Sequence, residues 1–351
     1  MRYRKAVLYI ILSIICFIVF NALMWHIYLK NILDNANVGD LTRLGYIWYL
    51  ADYRDKTSFY QKKLDKLTYS KITTPPEQYD LITIGDSFSN GQGGWFYQDY
   101  IAAHMNYRVL NVQPYSNRNA IETISLLSNS GFFKLVKTKN ILIECVEREI
   151  SNLSKEVHFQ ETEDINKLIE FYKITEYEVP MKVKVSFFIN DANYNFILYY
   201  LLYKFSDNAI LSKVYKKRIN ANLFYAKENE LLFYQDDILH NDLQKNSDTL
   251  NMINENLNKL SKKLKDEGIR LYFMPAVNKY TLYFDYIEDN EYPRSDFFEK
   301  YEKMKKQYYY IDTKKILKTE VQNGGKEVFC ADDTHWSWKA AEAIFDHSIF
   351  K

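Results

Sequence analysis

A run of 24 residues, AVLYIILSIICFIVFNALMWHIYL at positions 6–29, constrains this chain more than any other feature. Only Ser13, Asn21 and His26 are clearly polar in it. An α-helix rises about 1.5 Å per residue, so roughly 20 such residues cross a hydrocarbon layer about 30 Å thick. Arg2, Arg4 and Lys5 precede the run, and only Lys30 lies immediately beyond it. Positive charge stays on the cytoplasmic side, so the expected topology is a cytoplasmic tail at 1–5, a transmembrane anchor at 6–29, and everything after it outside the cytoplasm. A cleaved signal peptide gives the bulk of the chain the same topology. It calls for a shorter apolar region and a small-x-small cleavage site, neither of which is evident here. Cys16, preceded by Ser13-Ile14-Ile15, is not in a lipobox-like setting.

The remainder has the composition of a globular protein. Of 351 residues, 47% are hydrophobic and 26% charged, with a net charge of +1, which argues against a partner bound by bulk charge such as a nucleic acid. Three cysteines (Cys16, Cys145, Cys330) make neither a disulfide framework nor a paired C-x-x-C zinc site. Cys145 ends an apolar run and reads as a buried thiol, although an outer compartment permits a bridge to Cys330. Residues 30–76 are mixed polar and aromatic, a juxtamembrane segment closed by Pro75-Pro76.

From Tyr79 onward, strand and helix signals alternate. LITI (81–84), RVLNV (108–112), ILIECV (141–146) and IRLYFM (269–274) are short apolar runs suited to strands buried on both faces. Helix-like stretches at 97–106, 119–133 and 248–266 lie among them. The pattern predicts an α/β fold with a mostly parallel sheet, whose ligands bind at the carboxyl ends of strands. The stretch from about 151 to 246, aromatic and charged, is expected to be a helical insertion in a catalytic domain spanning 77–351. Its run FILYYLLY (196–203) is too short for a second span and is closed by Lys204 and Asp207.

Two motifs carry chemistry. Gly85-Asp86-Ser87-Phe88-Ser89 follows the first strand, where a sharp turn can expose a nucleophile beside backbone amides; the same residues also suit an ordinary turn or helix cap. Asp332-Asp333-Thr334-His335-Trp336-Ser337 precedes the last helix. A carboxylate two or three residues ahead of a histidine can orient the ring through Nδ1 and leave Nε2 as general base. The competing readings are a helix cap and a metal site, and the latter lacks a second histidine at ligand spacing. Trp336 is either a sugar-stacking platform or a packing residue.

Together these motifs resemble the SGNH (GDSL-type) hydrolase superfamily, and Asp333-Thr334-His335-Trp336 is similar to the D-T-H-W of alginate O-acetyltransferase-type proteins. Glu144-Cys145-Val146-Glu147-Arg148 and GIRLYFMPAVNKYTLY (268–283) resemble further stretches of that branch. In the alginate proteins the Asp-x-His element precedes the serine; here Ser87 comes first, the ordinary superfamily order. The usual second-block glycine and third-block Gly-x-Asn-Asp are replaced by Ser116-Asn117-Arg118 and Glu147-Arg148. The resemblance implies a three-layer α/β/α (flavodoxin-like) sandwich with Ser87 as nucleophile, His335 as base, and Asp333, or Asp332 at the commoner spacing, as the orienting carboxylate. It implies an oxyanion hole from the Ser87 amide with Asn117, and substrate contacts from Arg148, unless Arg148 pairs with Glu122 or Glu147. No metal or cofactor is called for.

The expected activity is O-acetylation of a cell-surface or secreted polysaccharide in the periplasm or cell exterior. A multi-pass membrane O-acyltransferase would be the acyl-supplying partner. A carbohydrate esterase and a catalytically idle scaffold or glycan-binding component of an export complex are the alternatives.

Overall fold

The computed structural model describes residues 2–33, 38–47, 67–69, 75–89, 96–174, 187–225, 229–239, 247–345 and 349–350. Its strands are β1 (Leu67–Tyr69), β2 (Glu77–Gln78), β3 (Leu81–Ile84), β4 (Val109–Val112), β5 (Val136–Lys137), β6 (Asn140–Val146), β7 (Val214–Arg218), β8 (Glu230–Tyr234), β9 (Arg270–Ala276) and β10 (Tyr309–Tyr310). The principal helices are α1 (Arg2–Leu23), α2 (Asp40–Gly45), α3 (Tyr97–His104), α4 (Ala120–Asn129), α5 (Ile165–Ile174), α6 (Ala192–Leu202), α7 (Ser247–Asp266), α8 (Phe297–Glu302), α9 (Thr313–Gln322) and α10 (Trp338–Phe345). The chain forms two compact units. One comprises 1–56, 179–235 and 330–334; the other comprises 57–178, 236–329 and 335–351.

The larger unit is built on a six-stranded sheet in the order β1-β4-β3-β6-β9-β10, every pair parallel. Without the edge strand β1, the order is that of a doubly wound flavodoxin-like sheet, whose direction of winding reverses between the first and third strands. Here those strands are β3 and β6, paired with Ile82 opposite Ile141 and Ile84 opposite Ile143. All residues of β3, β4 and β6 are buried, as expected for strands covered on both faces. Right-handed crossovers put helices that lead opposite ways along the sheet on opposite faces. The packing follows this rule: α3 lies against α10, which also packs on α9, whereas α7 packs on α4. Tyr97 of α3 stacks on Phe345 of α10 with ring centres 5.3 Å apart. β1 and β10, of three and two residues, extend the sheet at its edges and carry too little pattern to be read from sequence.

In the smaller unit, α1 continues through a π-helical stretch, Met24–Leu29, into Lys30–Leu33. The stretch Tyr3–Leu33 is long and apolar enough to cross a membrane, a property shared by anchors and signal sequences. The segment expected to be helical does contain α5 and α6, but it also contains an antiparallel pair, β7 with β8. Alternation in Leu231-Leu232-Phe233 is hidden because these residues are all buried.

Candidate functional site

The turn after β3 is shaped by Asp86. Its Oδ1 accepts the Phe88 amide (3.0 Å), its Oδ2 accepts the Val146 amide at the end of β6 (2.6 Å), and its carbonyl accepts the Ser89 amide (3.0 Å). Ser87–Ser89 thereby closes as a single 3₁₀ turn at the carboxyl end of β3, beside the point where the sheet's winding reverses.

Beneath the turn lies a buried polar network. Glu144 Oε2 accepts the Asp86 amide (3.2 Å) and the Ser89 hydroxyl (2.7 Å), and Ser89 Oγ also lies 2.8 Å from the Tyr97 hydroxyl. The Ser89 carbonyl accepts Gln98 Nε2 and Asn111 Nδ2, each at 2.8 Å. Gly85 makes this possible by close approach: a Cβ there would stand 2.3 Å from both Glu144 Oε2 and Ser89 Oγ. Among the described residues, no ion pair joins Glu144 to a cation. Burial, with the Asp86 carboxylate next in weight, holds the Glu144 carboxyl well above the ordinary carboxylate range. Burial beside Glu144 likewise pushes the Tyr97 phenol up.

His335 comes to this turn from the other end of the chain. Its Nε2 lies 2.8 Å from Ser87 Oγ, and its ring packs on Phe88 with centres 4.8 Å apart. Both Ser87 and His335 are partly exposed. The segment entering α10 is held by a bridge between Phe329 and Trp336 and by the Ser337 amide donating to the Val328 carbonyl (2.8 Å). Ser337 Oγ accepts the Lys339 amide (3.2 Å), so the capping of α10 falls to Ser337 and not to the histidine's neighbours.

The preceding residues are fixed within the smaller unit. Asp332 Oδ2 accepts the Gly39 amide at 2.8 Å, and the Asp332 carbonyl accepts the amides of Leu41 (3.2 Å) and Thr42 (3.3 Å). Asp40 Oδ1 accepts the Thr334 amide (2.8 Å), and Asp40 Oδ2 accepts the Thr334 hydroxyl. A Cβ on Gly39 would sit 2.0 Å from the Asp332 carbonyl oxygen. Asp333 is buried, and its amide donates to the Cys330 carbonyl at 3.4 Å. Sequence reasoning missed Gly39 and Asp40, which it left inside the juxtamembrane segment. The small Gly-Asp step in an otherwise bulky stretch was the available signal.

Two expectations are corrected. Trp336 is only 6% exposed and packs edge-on against Phe88 (4.8 Å, 82°), with Phe329 behind it, so no ring face is open to a sugar. Arg148 pairs with neither Glu122 nor Glu147: its Nη1 donates to Asp237 Oδ1 at 3.0 Å, both side chains being largely buried. Burial raises the Asp237 carboxyl, and Arg148 is the main group opposing that shift. Glu122 instead accepts the Asn119 amide in a capping box, and Glu147 accepts the Asn278 amide and the Ser295 hydroxyl. Asn117 is exposed in a left-handed turn with Ser116 (φ +61° and +46°), and no hydrogen bond among the described residues joins it to Ser87 or His335. Cys145 is buried, and no disulfide joins it to Cys330.

Ser87 thus lies at the winding reversal of a flavodoxin-like sheet with a histidine on its hydroxyl, an arrangement that suits nucleophilic chemistry. Residues 228–347 match the model of one family, described as the SGNH hydrolase-like domain of acetyltransferase AlgX. The matched stretch contains Asp332, Asp333, His335 and Trp336, and it points to the same branch as the D-T-H-W resemblance. No curated protein and no solved structure matches the chain.

Proposed function

We propose that this chain is a membrane-anchored O-acyltransferase whose SGNH-type domain works outside the cytoplasm, transferring acetyl groups to polysaccharide hydroxyls through an acyl-Ser87 intermediate. The observation that carries this reading is the 2.8 Å contact between Ser87 Oγ and His335 Nε2. In the proposed reaction, His335 Nε2 takes the Ser87 proton as Oγ attacks the acyl carbonyl. The amides of Asp86, Phe88 and Ser89 are engaged within the turn and its network, which favours the Ser87 amide as oxyanion donor. Collapse of the tetrahedral intermediate expels the donor alkoxide, which takes the proton back from His335. A sugar hydroxyl then gives its proton to His335 and attacks the acyl-Ser87 carbonyl, releasing the acetylated sugar and restoring the serine.

The orienting carboxylate in this reading is Asp333, because Asp332 already holds the Gly39–Thr42 backbone. The acyl donor at that side of a membrane would come from a multi-pass O-acyltransferase, as the resemblance implies.

The test is intact-mass analysis of the full chain in lipid nanodiscs after incubation with p-nitrophenyl acetate, beside Ser87→Ala. An acetyl adduct on the unsubstituted chain, absent from Ser87→Ala, is the expected result. Nitrophenol release should fall at least about a thousandfold in the variant, which keeps its melting temperature. Added oligosaccharide should collect the acetyl group; release as acetate alone, whatever the acceptor, would make the protein an esterase. Equal adduct and release in both proteins would overturn the Ser87 assignment.

A further inference from the structure

Helix α6 and the loop after it present an apolar surface that is largely exposed among the described residues. Tyr194, Ile197, Leu198 and Leu201 recur at helical spacing and are all exposed, as is Tyr200 beside them. Beyond the helix, Phe205 (88% exposed), Ile210 (77%) and Leu211 (68%) continue the patch. Scattered apolar exposure is ordinary on a protein surface, whereas a contiguous stripe of this kind marks an interaction site.

What covers the stripe follows from the helix that α6 is tied to. Asn21, a polar residue inside the apolar stretch of α1, donates from Nδ2 to the Tyr194 hydroxyl (2.8 Å) and to the Phe17 carbonyl (2.9 Å). Asn193 Nδ2 donates to Asn21 Oδ1 (2.7 Å) and to the Phe188 carbonyl (2.7 Å). The Tyr194 ring lies 5.5 Å from that of Phe20 and 6.5 Å from that of Phe17. Further on, Trp25 and Leu29 bury against Ala192, and Tyr28 stacks on Phe196 at 5.6 Å.

Counting from Ala6, just past the basic head, 20 residues at 1.5 Å each fill a layer of about 30 Å and place its far boundary near Trp25. Asn21 is four residues short of that boundary, about 6 Å inside it. A side-chain amide at that depth needs protein partners, since lipid offers none. Asn193 and Tyr194 supply them, so the start of α6 sits at the depth of Asn21 and its apolar stripe faces lipid.

We propose that α6 and the loop through Leu211 rest in the lipid interface around the end of the anchor remote from Arg2, so that the smaller unit is held to the membrane by two contacts instead of one. The composition suits such a site: the tyrosines of α6 put apolar rings and polar tips at a water boundary, and Lys204 lies over the Tyr200 ring at 4.6 Å, with its charge able to reach the headgroups. The proposal rests on the retained-anchor reading.

The test measures depth in the full chain. Cys16→Ala and Cys330→Ala remove the accessible thiols, and buried Cys145 stays in place. Single cysteines are then introduced at exposed positions as Leu198→Cys, Leu211→Cys, Ile11→Cys in the anchor and Lys303→Cys as an aqueous control. Each is labelled with an environment-sensitive fluorophore in phosphatidylcholine vesicles, with or without acyl-chain nitroxide lipid. Labels at 198 and 211 should lose about half of their emission to the nitroxide, like the label at 11, while the label at 303 keeps its own. Quenching at 11 but not at 198 or 211 would overturn the proposal and leave the anchor standing. Absence of quenching at 11, or loss of that residue from the mature chain, would remove the anchor reading and the proposal with it.

Discussion

Around Ser87, the groups that hold the turn belong to the turn itself, to strands directly beside it, or to α3, the next described helix. Asp86 folds back onto Phe88 and Ser89, and Glu144 meets them from β6, the strand paired with β3. Around His335, the division is different. Asp332 and Thr334 are tied to Gly39 and Asp40, nearly three hundred positions earlier, while Trp336 and Ser337 are tied to Phe329 and Val328. One turn is held by its own residues and by the strands and helix packed around it; the other is joined to a stretch nearly three hundred positions away. The serine turn is therefore expected to tolerate changes that keep its buried polar pairing. The histidine turn is expected to fail whenever the Gly39 segment fails, with the sheet left intact.

The sharpest way to break this comparison is to separate chemistry from support within the Asp-Asp pair. Asp333→Asn should lower acyl-enzyme formation by roughly a thousandfold or more, because an amide cannot favour the imidazolium as a carboxylate does. Asp332→Ala should instead destabilise the histidine segment by about 1–3 kcal/mol, through the unpaired Gly39 amide, as measured by denaturant unfolding. The reverse pattern would make Asp332 the orienting group.

A smaller effect distinguishes the two glycines. Gly39→Ala places a methyl 2.0 Å from the Asp332 carbonyl oxygen, a backbone atom, whereas Gly85→Ala meets side-chain atoms of Glu144 and Ser89 at 2.3 Å. Backbone yields less readily, so Gly39→Ala should cost the more, toward the upper end of about 1–3 kcal/mol. It should also slow Ser87 acylation. Equal losses for the two would mean that both turns are equally rigid.

The smallest effect is a change in pH slope. A Glu144 carboxyl raised above its ordinary pKa of about 4.3 keeps its proton in the folded state after the unfolded chain has lost it. The stability it contributes is fully present below the ordinary value and is lost as pH rises toward the raised one, by at most about 1.4 kcal/mol per pH unit. Glu144→Gln retains an acceptor for Ser89 and the Asp86 amide and removes the titration. Its unfolding free energy should therefore fall less steeply with pH than that of the unsubstituted chain, and the two curves should part on the alkaline side. Parallel curves would show Glu144 titrating as an ordinary carboxylate beneath the serine turn.

The strands were legible because residues buried on both faces must be continuously apolar, as Leu81–Ile84 and Asn140–Val146 nearly are. The Ser87 turn was legible only together with the histidine motif, because glycine, aspartate and serine after a strand also suit an ordinary turn or helix cap. The role of Trp336 was not legible: whether an indole stacks on a sugar or on Phe88 depends on what the fold brings against it. Arg148 posed the same difficulty, since its partner Asp237 lies 89 positions away. β8 escaped notice because its near-continuous burial erases the alternation by which an antiparallel strand is read, and β7, apolar only at Val214-Tyr215 before two lysines and an arginine, shows too little of it.

By itself the sequence determined the apolar N-terminal helix, the parallel α/β sheet and the two motifs bearing Ser87 and His335, since each is written in residues that are neighbours in the chain. Only the tertiary structure decided that His335 reaches Ser87, that Gly39 and Asp40 hold the turn before the histidine, and that Glu144 lies buried beneath the serine. Those facts depend on contacts between residues 55 to almost 300 positions apart, and no local periodicity encodes such a distance.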